Sequence, residues 1–225
     1  MALVKVLKLL PDEYIRSELP RVLQIVCNLL RMRLQRIRDD ARKVLAGMAA
    51  ELGPAYLTFV IQVLKTSLPL RGFTAHVLGY TFHDVLHAVA PAAQEAPGCL
   101  DACVPAMVPI IEGDLFTDIA DAKEASAFSS SYKESKRCKA YESYRILASL
   151  IRVEDTLPRL LEIVWERLPM ASTPKLRSKI SLLLQHASKG VVENPSATND
   201  NVSEMVYGLL APVAEEEDAR RRLAN

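Results

Sequence analysis

The chain has 225 residues, is 50% hydrophobic and 24% charged, and carries a formal net charge of +1. This is an ordinary composition for a chain that buries a core in one or two domains. The charge excludes any global pull toward nucleic acid or anionic membrane, so such affinity must come from local patches. Cys27, Cys99, Cys103 and Cys138 are too few and too scattered for a disulfide scaffold, as a reducing compartment would permit. The opening MALVKVLKLLPDE has Lys5 and Lys8 inside its apolar run, stops at Pro11 and lacks a small-residue cleavage site, so no secretory signal is expected. No apolar run approaches the ~20 residues that span a bilayer. The expectation is a soluble intracellular chain.

In chain order, residues 2–10 read as the end of a helix whose partner is missing. Ser17 is a cap candidate for a helix from Leu19 to about Arg31, with Pro20 in its first turn and Leu23, Val26, Cys27 and Leu30 on one face. Asp39 and Asp40 are the start signal for the next helix, whose apolar positions Ala41, Val44, Leu45, Met48 and Leu52 recur at helical spacing. Gly53 suits the left-handed residue that ends it, and Pro54 the first turn of its successor. Ala55–Leu68 and Phe73–Val89 follow, then a Pro/Gly/Ala linker, 91–98. Leu100–Ile111 carries Pro105 and Pro109 and should kink or break.

Residues 113–138 lack sustained apolar periodicity and read as an exposed polar and basic insertion. Helices resume at Lys139–Arg152, Thr156–Leu168, Pro174–Val192 and Val202–Val213, before a charged tail over 214–225. Helix, tight turn, helix, with no strand between, predicts an all-α fold, an α-solenoid of HEAT-like antiparallel pairs. Residues 1–112 and 139–213 form its two runs. The apolar first residues are not a polar cap, so a piece of a longer array is expected.

Two patterns invite a catalytic reading. His83 and His87 stand at i and i+4, as in zinc proteases, but Asp84 replaces the glutamate base with a side chain one methylene shorter. His76 lies on the same stripe ~10 Å along the axis, too far to join them, and no later motif offers a third ligand. Cys99 and Cys103 have no second Cys or His pair and read as small hydrophobes. No nucleophile elbow and no phosphate-binding glycine loop occur. The expectation is no catalytic, cofactor or metal site, and no small-molecule substrate. Basic clusters remain: Arg31, Arg33, Arg36 and Arg38, and then Lys133, Lys136, Arg137 and Lys139. They are the candidate contacts for RNA phosphate or an acidic partner. The bland reading is a solvated face, with Arg42 bonded to an Asp of a neighbouring repeat.

Leu19-Pro20 and Asp39-Asp40-x-Arg42 resemble the HEAT repeat. Closer matches are Arg38-Asp39-x-Ala41-Arg42, Leu52-Gly53-Pro54-x-Tyr56-Leu57-x-Phe59-Val60-Ile61 and Arg71-Gly72-Phe73-x-x-His76-Val77-Leu78-Gly79-Tyr80-Thr81-x-His83. Together with Asp114-Leu115-Phe116, Lys133-Glu134-x-Lys136 and Tyr141-Glu142-Ser143-Tyr144-x-Ile146-Leu147-Ala148, they resemble the down-regulated-in-metastasis family. Its members are very long HEAT-repeat proteins associated with a small nucleolar RNA. The match covers about residues 17–152, and the Ala/Ser-rich stretch 117–132 departs from it. The resemblance implies a nucleolar, nuclear scaffold of the small-subunit processome. Its implied partners are small-subunit pre-rRNA, small nucleolar ribonucleoprotein components and other processome proteins. The alternatives are a HEAT-repeat transport receptor or protein-only adaptor and, from a third class, a metalloenzyme built on His83 and His87.

Overall fold

The computed structural model of the chain describes residues 2–70, 73–116, 134, 138–208 and 210–211. Among these there is no strand. The helices are α1 (Ala2–Leu7), α2 (Asp12–Leu29), α3 (Gln35–Leu52), α4 (Leu57–Ser67), α5 (Phe73–Gln94), α6 (Val104–Leu115), α7 (Ala140–Leu150), α8 (Leu157–Arg167) and α9 (Pro174–Val192). Short 3₁₀ turns at Pro54–Tyr56 and Asp101–Cys103 lead into α4 and α6, and residues 199–208 are helical again.

Successive helices pack as pairs, α2 with α3, α4 with α5, α6 with α7 and α8 with α9. The pairs stack so that α2, α4, α6 and α8 form one row, while α1, α3, α5, α7 and α9 form the other. This is the expected all-α solenoid. Its core lies between the rows, in stripes such as Leu19, Leu23, Cys27 and Leu30 of the α2 region and Leu45, Met48 and Leu52 of α3. Each fully buried leucine of these stripes stabilises the fold by about 1.5–3 kcal/mol.

Polar bonds add ties within and between the rows. Gln24 Nε2 donates to Ser67 Oγ (2.9 Å) between α2 and α4, and Tyr144 Oη donates to the Leu160 carbonyl (2.8 Å) between α7 and α8. The buried Asn194 amide donates to the carbonyls of Ala148 and Ile151 (2.8 and 2.7 Å), closing the end of α7. Gly53 has φ +80° and ends α3, and the chain turns by 115° from there into 54–67. At Gly190 a Cβ would lie 2.3 Å from the Arg145 carbonyl oxygen, so α9 approaches α7 along its bare backbone.

Several helix ends differ from the sequence expectation. α2 begins at Asp12 rather than Leu19, because Pro11 supplies an extended N-cap (φ −54°, ψ 147°) and Asp12 and Glu13 place negative charge in the first turn. Pro20 therefore lies inside the helix, and Ser17 is no cap: its hydroxyl donates back to the Tyr14 carbonyl (3.0 Å). The chain breaks near residues 31–34, as expected, but α3 starts at Gln35, so Asp39 and Asp40 fall in its second turn. Asp39 pairs with Arg42 (3.0 Å) instead of capping.

α5 runs past Pro91 to Gln94, because buried Ala93 continues the stripe of Val85, Leu86 and Val89. α6 tolerates Pro105 in its first turn and continues through Pro109 to Leu115, so the proposed insertion starts later than residue 113. Of that insertion, 117–133 and 135–137 lie outside the described residues, as does the tail 212–225. Thr198 and Asn201 bond each other's backbone N–H in a reciprocal cap (2.8 and 3.2 Å), starting the last helical stretch at 199 rather than 202. No single helix among the described residues is long and apolar enough to cross a membrane.

Candidate nucleic-acid and protein interface

The first basic cluster lies where α2 passes into α3. The turn is held by Arg31 N donating to the Asn28 carbonyl (3.3 Å) and Met32 N donating to the Leu29 carbonyl (3.2 Å). Leu34 is extended (φ −70°, ψ 115°), which ends the turn and starts α3. Arg31, Arg33 and Arg36 are exposed, and no carboxylate among the described residues pairs with them.

Arg38 does not belong with that cluster, which corrects the sequence expectation. It is fully buried, and its guanidinium grips the Glu134 carboxylate through two bonds, Nε to Oε1 and Nη2 to Oε2, both 2.9 Å. Its Nη1 donates to the carbonyls of Met32 (3.0 Å) and Arg33 (2.8 Å). The cause is helical phase. Arg38 stands three, four and seven residues before Ala41, Arg42 and Leu45, all buried, so its side chain projects inward with theirs.

Glu134 joins a second arginine, Arg42, whose Nη2 donates to Oε1 at 2.6 Å. Burial alone pushes the Glu134 carboxyl up. The hydrogen bond from Arg38, with the charges of Arg38 and Arg42, outweighs this and holds it below the usual glutamate range. Arg42 also lies over the Tyr80 ring (4.6 Å to its centroid), bonds Asp39, and has Asp84 of the neighbouring helix α5 at 3.8 Å. The expected bond from Arg42 to an Asp of the next repeat is replaced by shorter ones to Glu134 and to Asp39 of its own helix, Asp84 only approaching its Nε. Glu134 was missed in the sequence. Its signals were its place in the motif Lys133-Glu134-x-Lys136 and its being a single acid among Lys133, Lys136 and Arg137.

Lys139, from the second cluster, is mostly withdrawn from solvent and pairs with Glu142. Lys133, Lys136 and Arg137 lie outside the described residues. Lys139 borders a groove of about 640 Å³ across α5, α7 and α9, lined by His83, His87, Glu142, Arg145, His186 and Glu193 among others. Its charges are matched within the chain, Lys139 by Glu142 and Arg145 by Glu193.

His83 is buried, with Nδ1 3.3 Å from Ser143 Oγ and Nε2 3.4 Å from Glu142 Oε2. Burial pushes its pKa down to about 4, so the ring is neutral near pH 7. His87 is exposed, its ring centroid 6.2 Å from that of His83. Among the described residues no three His, Cys, Asp or Glu are grouped to hold a metal ion. All four cysteines are free thiols. Burial raises the Cys27 thiol to about 12 and pushes Cys99 and Cys103 upward too, which disfavours the reactive thiolate.

The stacked helix pairs define an all-α repeat protein of the solenoid class. Comparison with known proteins places it further. The family model for the U3 small nucleolar RNA-associated protein 20 domain matches residues 1–210, and the chain belongs to that family. The resemblance to the long small nucleolar RNA-associated HEAT-repeat proteins is thereby shown, and it extends beyond the stretch 17–152 that carried it. U3 small nucleolar RNA-associated protein 20 of Schizosaccharomyces pombe is 34% identical over 218 residues, covering 97% of this chain. The protein of the same name from Saccharomyces cerevisiae is 29% identical over 208 residues, covering 92% of this chain. The chain spans only 9% and 8% of the length of these relatives.

Proposed function

We propose that this chain is a segment of a non-catalytic scaffold of the small-subunit processome, acting in the nucleolus. It binds pre-rRNA, small nucleolar ribonucleoprotein components and assembly factors. The observation that carries this reading is the family match across residues 1–210, to a family whose members are named for their association with a small nucleolar RNA. The fold supports it physically. A stacked solenoid offers long surfaces and is stable without catalytic groups, and a few anchors supply most of the binding energy. The contacts proposed are Arg31, Arg33 and Arg36, with Lys133, Lys136, Arg137 and Lys139; Arg38 is withdrawn from the set by its burial against Glu134.

The test is recovery of pre-rRNA and processome proteins with the chain from nucleolar extract at two salt concentrations. Charge reversal of Arg31, Arg33 and Arg36, and separately of Lys133, Lys136 and Arg137, should lower recovery. For every phosphate that a variant no longer neutralises, the salt dependence should flatten by ~0.7–0.9 log units per log unit of salt. Wild-type recovery from both folded variants at both salts would remove the clusters from the interface. No recovery with the wild-type chain would remove the scaffold reading itself.

A further inference from the structure

The loop between α2 and α3 presents more than charge. Met32 and Leu34 alternate with Arg31 and Arg33, and are 47% and 68% exposed, with Leu29 beside them at 40%. Arg36 adds a third exposed cation in the first turn of α3. Beneath the loop, buried Arg38 donates to the Met32 and Arg33 carbonyls while its other nitrogens hold Glu134. The loop backbone is thus fixed from inside by a fully buried cation that is itself anchored, and its outer side chains are displayed without a further ordering cost to their backbone.

That display selects a partner. A phosphate backbone complements the arginines but gives Met32 and Leu34 nothing to pack against, and the loop has no aromatic ring on which a base would stack. A carboxylate-rich protein segment with apolar side chains complements both halves, and Arg and Met are enriched on protein–protein interfaces generally. We propose that the loop from Arg31 to Arg36 is a docking surface for a short acidic segment of a partner protein, with Leu, Ile or Phe set among its carboxylates. This rests on the scaffold reading above and names the partner class for one of its surfaces.

The test titrates the whole chain against three labelled probes by fluorescence anisotropy: a peptide alternating Glu and Leu, a peptide of equal charge alternating Glu and Ser, and an oligouridine of equal charge. The Glu/Leu peptide should bind at least about tenfold more tightly than either other probe. Met32→Ser with Leu34→Ser should erase that margin, and Arg31→Glu with Arg33→Glu and Arg36→Glu should abolish binding of both peptides. All five side chains are exposed, so the variants should keep the wild-type circular dichroism spectrum. Equal binding of the two peptides, tightest binding of oligouridine or binding of no probe would each overturn the assignment. Recovery of pre-rRNA by the wild-type chain, measured in parallel, decides the scaffold reading separately. Tight peptide binding without such recovery would leave the surface assigned and the scaffold reading refused.

Discussion

At α3, Glu134 meets Arg38 and Arg42 with all three side chains at most 3% exposed; between α7 and α9, Arg145 meets Glu193 with side chains 44% and 48% exposed. Both are arginine–carboxylate contacts made by both ends of the guanidinium, and in a diagram they would look alike. Their surroundings separate them. In water each partner of the exposed pair is solvated whether or not the other is present, so the pair contributes little. In the buried cluster, removing one partner upsets a balance of charges that water cannot restore, which costs far more than the intact pair contributes. An arginine count cannot distinguish a binding surface from a structural strut. Burial can.

The largest effect should follow from breaking the buried cluster. Glu134→Ala leaves Arg38 and Arg42 facing each other in the interior and should destabilise the chain by about 3–5 kcal/mol, read from the urea unfolding midpoint. Because the folded Glu134 pKa is depressed, its contribution is present above the ordinary glutamate pKa and is lost as pH falls through the lowered value. A loss no larger than that of an exposed salt bridge would mean that the cluster is not dry.

Next comes the close approach on the other side of the molecule. Gly190→Ala drives a methyl against the Arg145 carbonyl, backbone that cannot swing away as a side chain would, and should cost about 1–3 kcal/mol. Gly208→Ala meets nothing within 4 Å and is the matched control. Equal stability of the two variants would show that α7 and α9 separate easily.

Much of the fold was legible because helix pairs leave local marks. Gly53-Pro54 fixed one turn correctly, and the helix expected over Pro174–Val192 has those bounds, its start held by Thr173 Oγ1, which accepts from Leu176 N (3.2 Å). The failures were of two kinds. Strong local start signals, Ser17 and Asp39-Asp40, lost to tertiary demands, since the stripes they would have interrupted continue on both sides. Arg38 was misplaced although its phase with Arg42, beside the apolar face, was visible. What the sequence lacked was the partner: Glu134 lies 96 residues away, in a stretch whose local composition is polar and basic.

The histidine in the groove gives a pH-dependent effect of intermediate size. His83 has a folded pKa of about 4, below its ordinary 6.5, so the unfolded chain binds the extra proton between those values. Stability therefore falls as pH drops from about 6.5 toward 4, by at most about 1.4 kcal/mol per pH unit. His83→Gln should flatten that limb of the stability curve and leave the acid loss to which Glu134 contributes. An unchanged slope would assign the limb to other groups.

The smallest effect closes the comparison at its exposed end. Arg145→Ala and Glu193→Ala, singly and together, should leave the unfolding midpoint where it is in wild type, because each freed partner returns to water. Arg145 also borders the groove, so the same variants report whether that surface is used. Unchanged stability with altered recovery of pre-rRNA or processome proteins would make the pair a contact held in reserve for a partner. A drop in stability approaching that of Glu134→Ala would contradict the distinction drawn between the two sites. Such a drop would show that α7 and α9 depend on this pair as α3 depends on Glu134. Moderate salt offers an independent check, since it screens the exposed pair and not the buried cluster. The wild-type midpoint should therefore move little with added salt, and the Arg145→Ala midpoint should move in parallel.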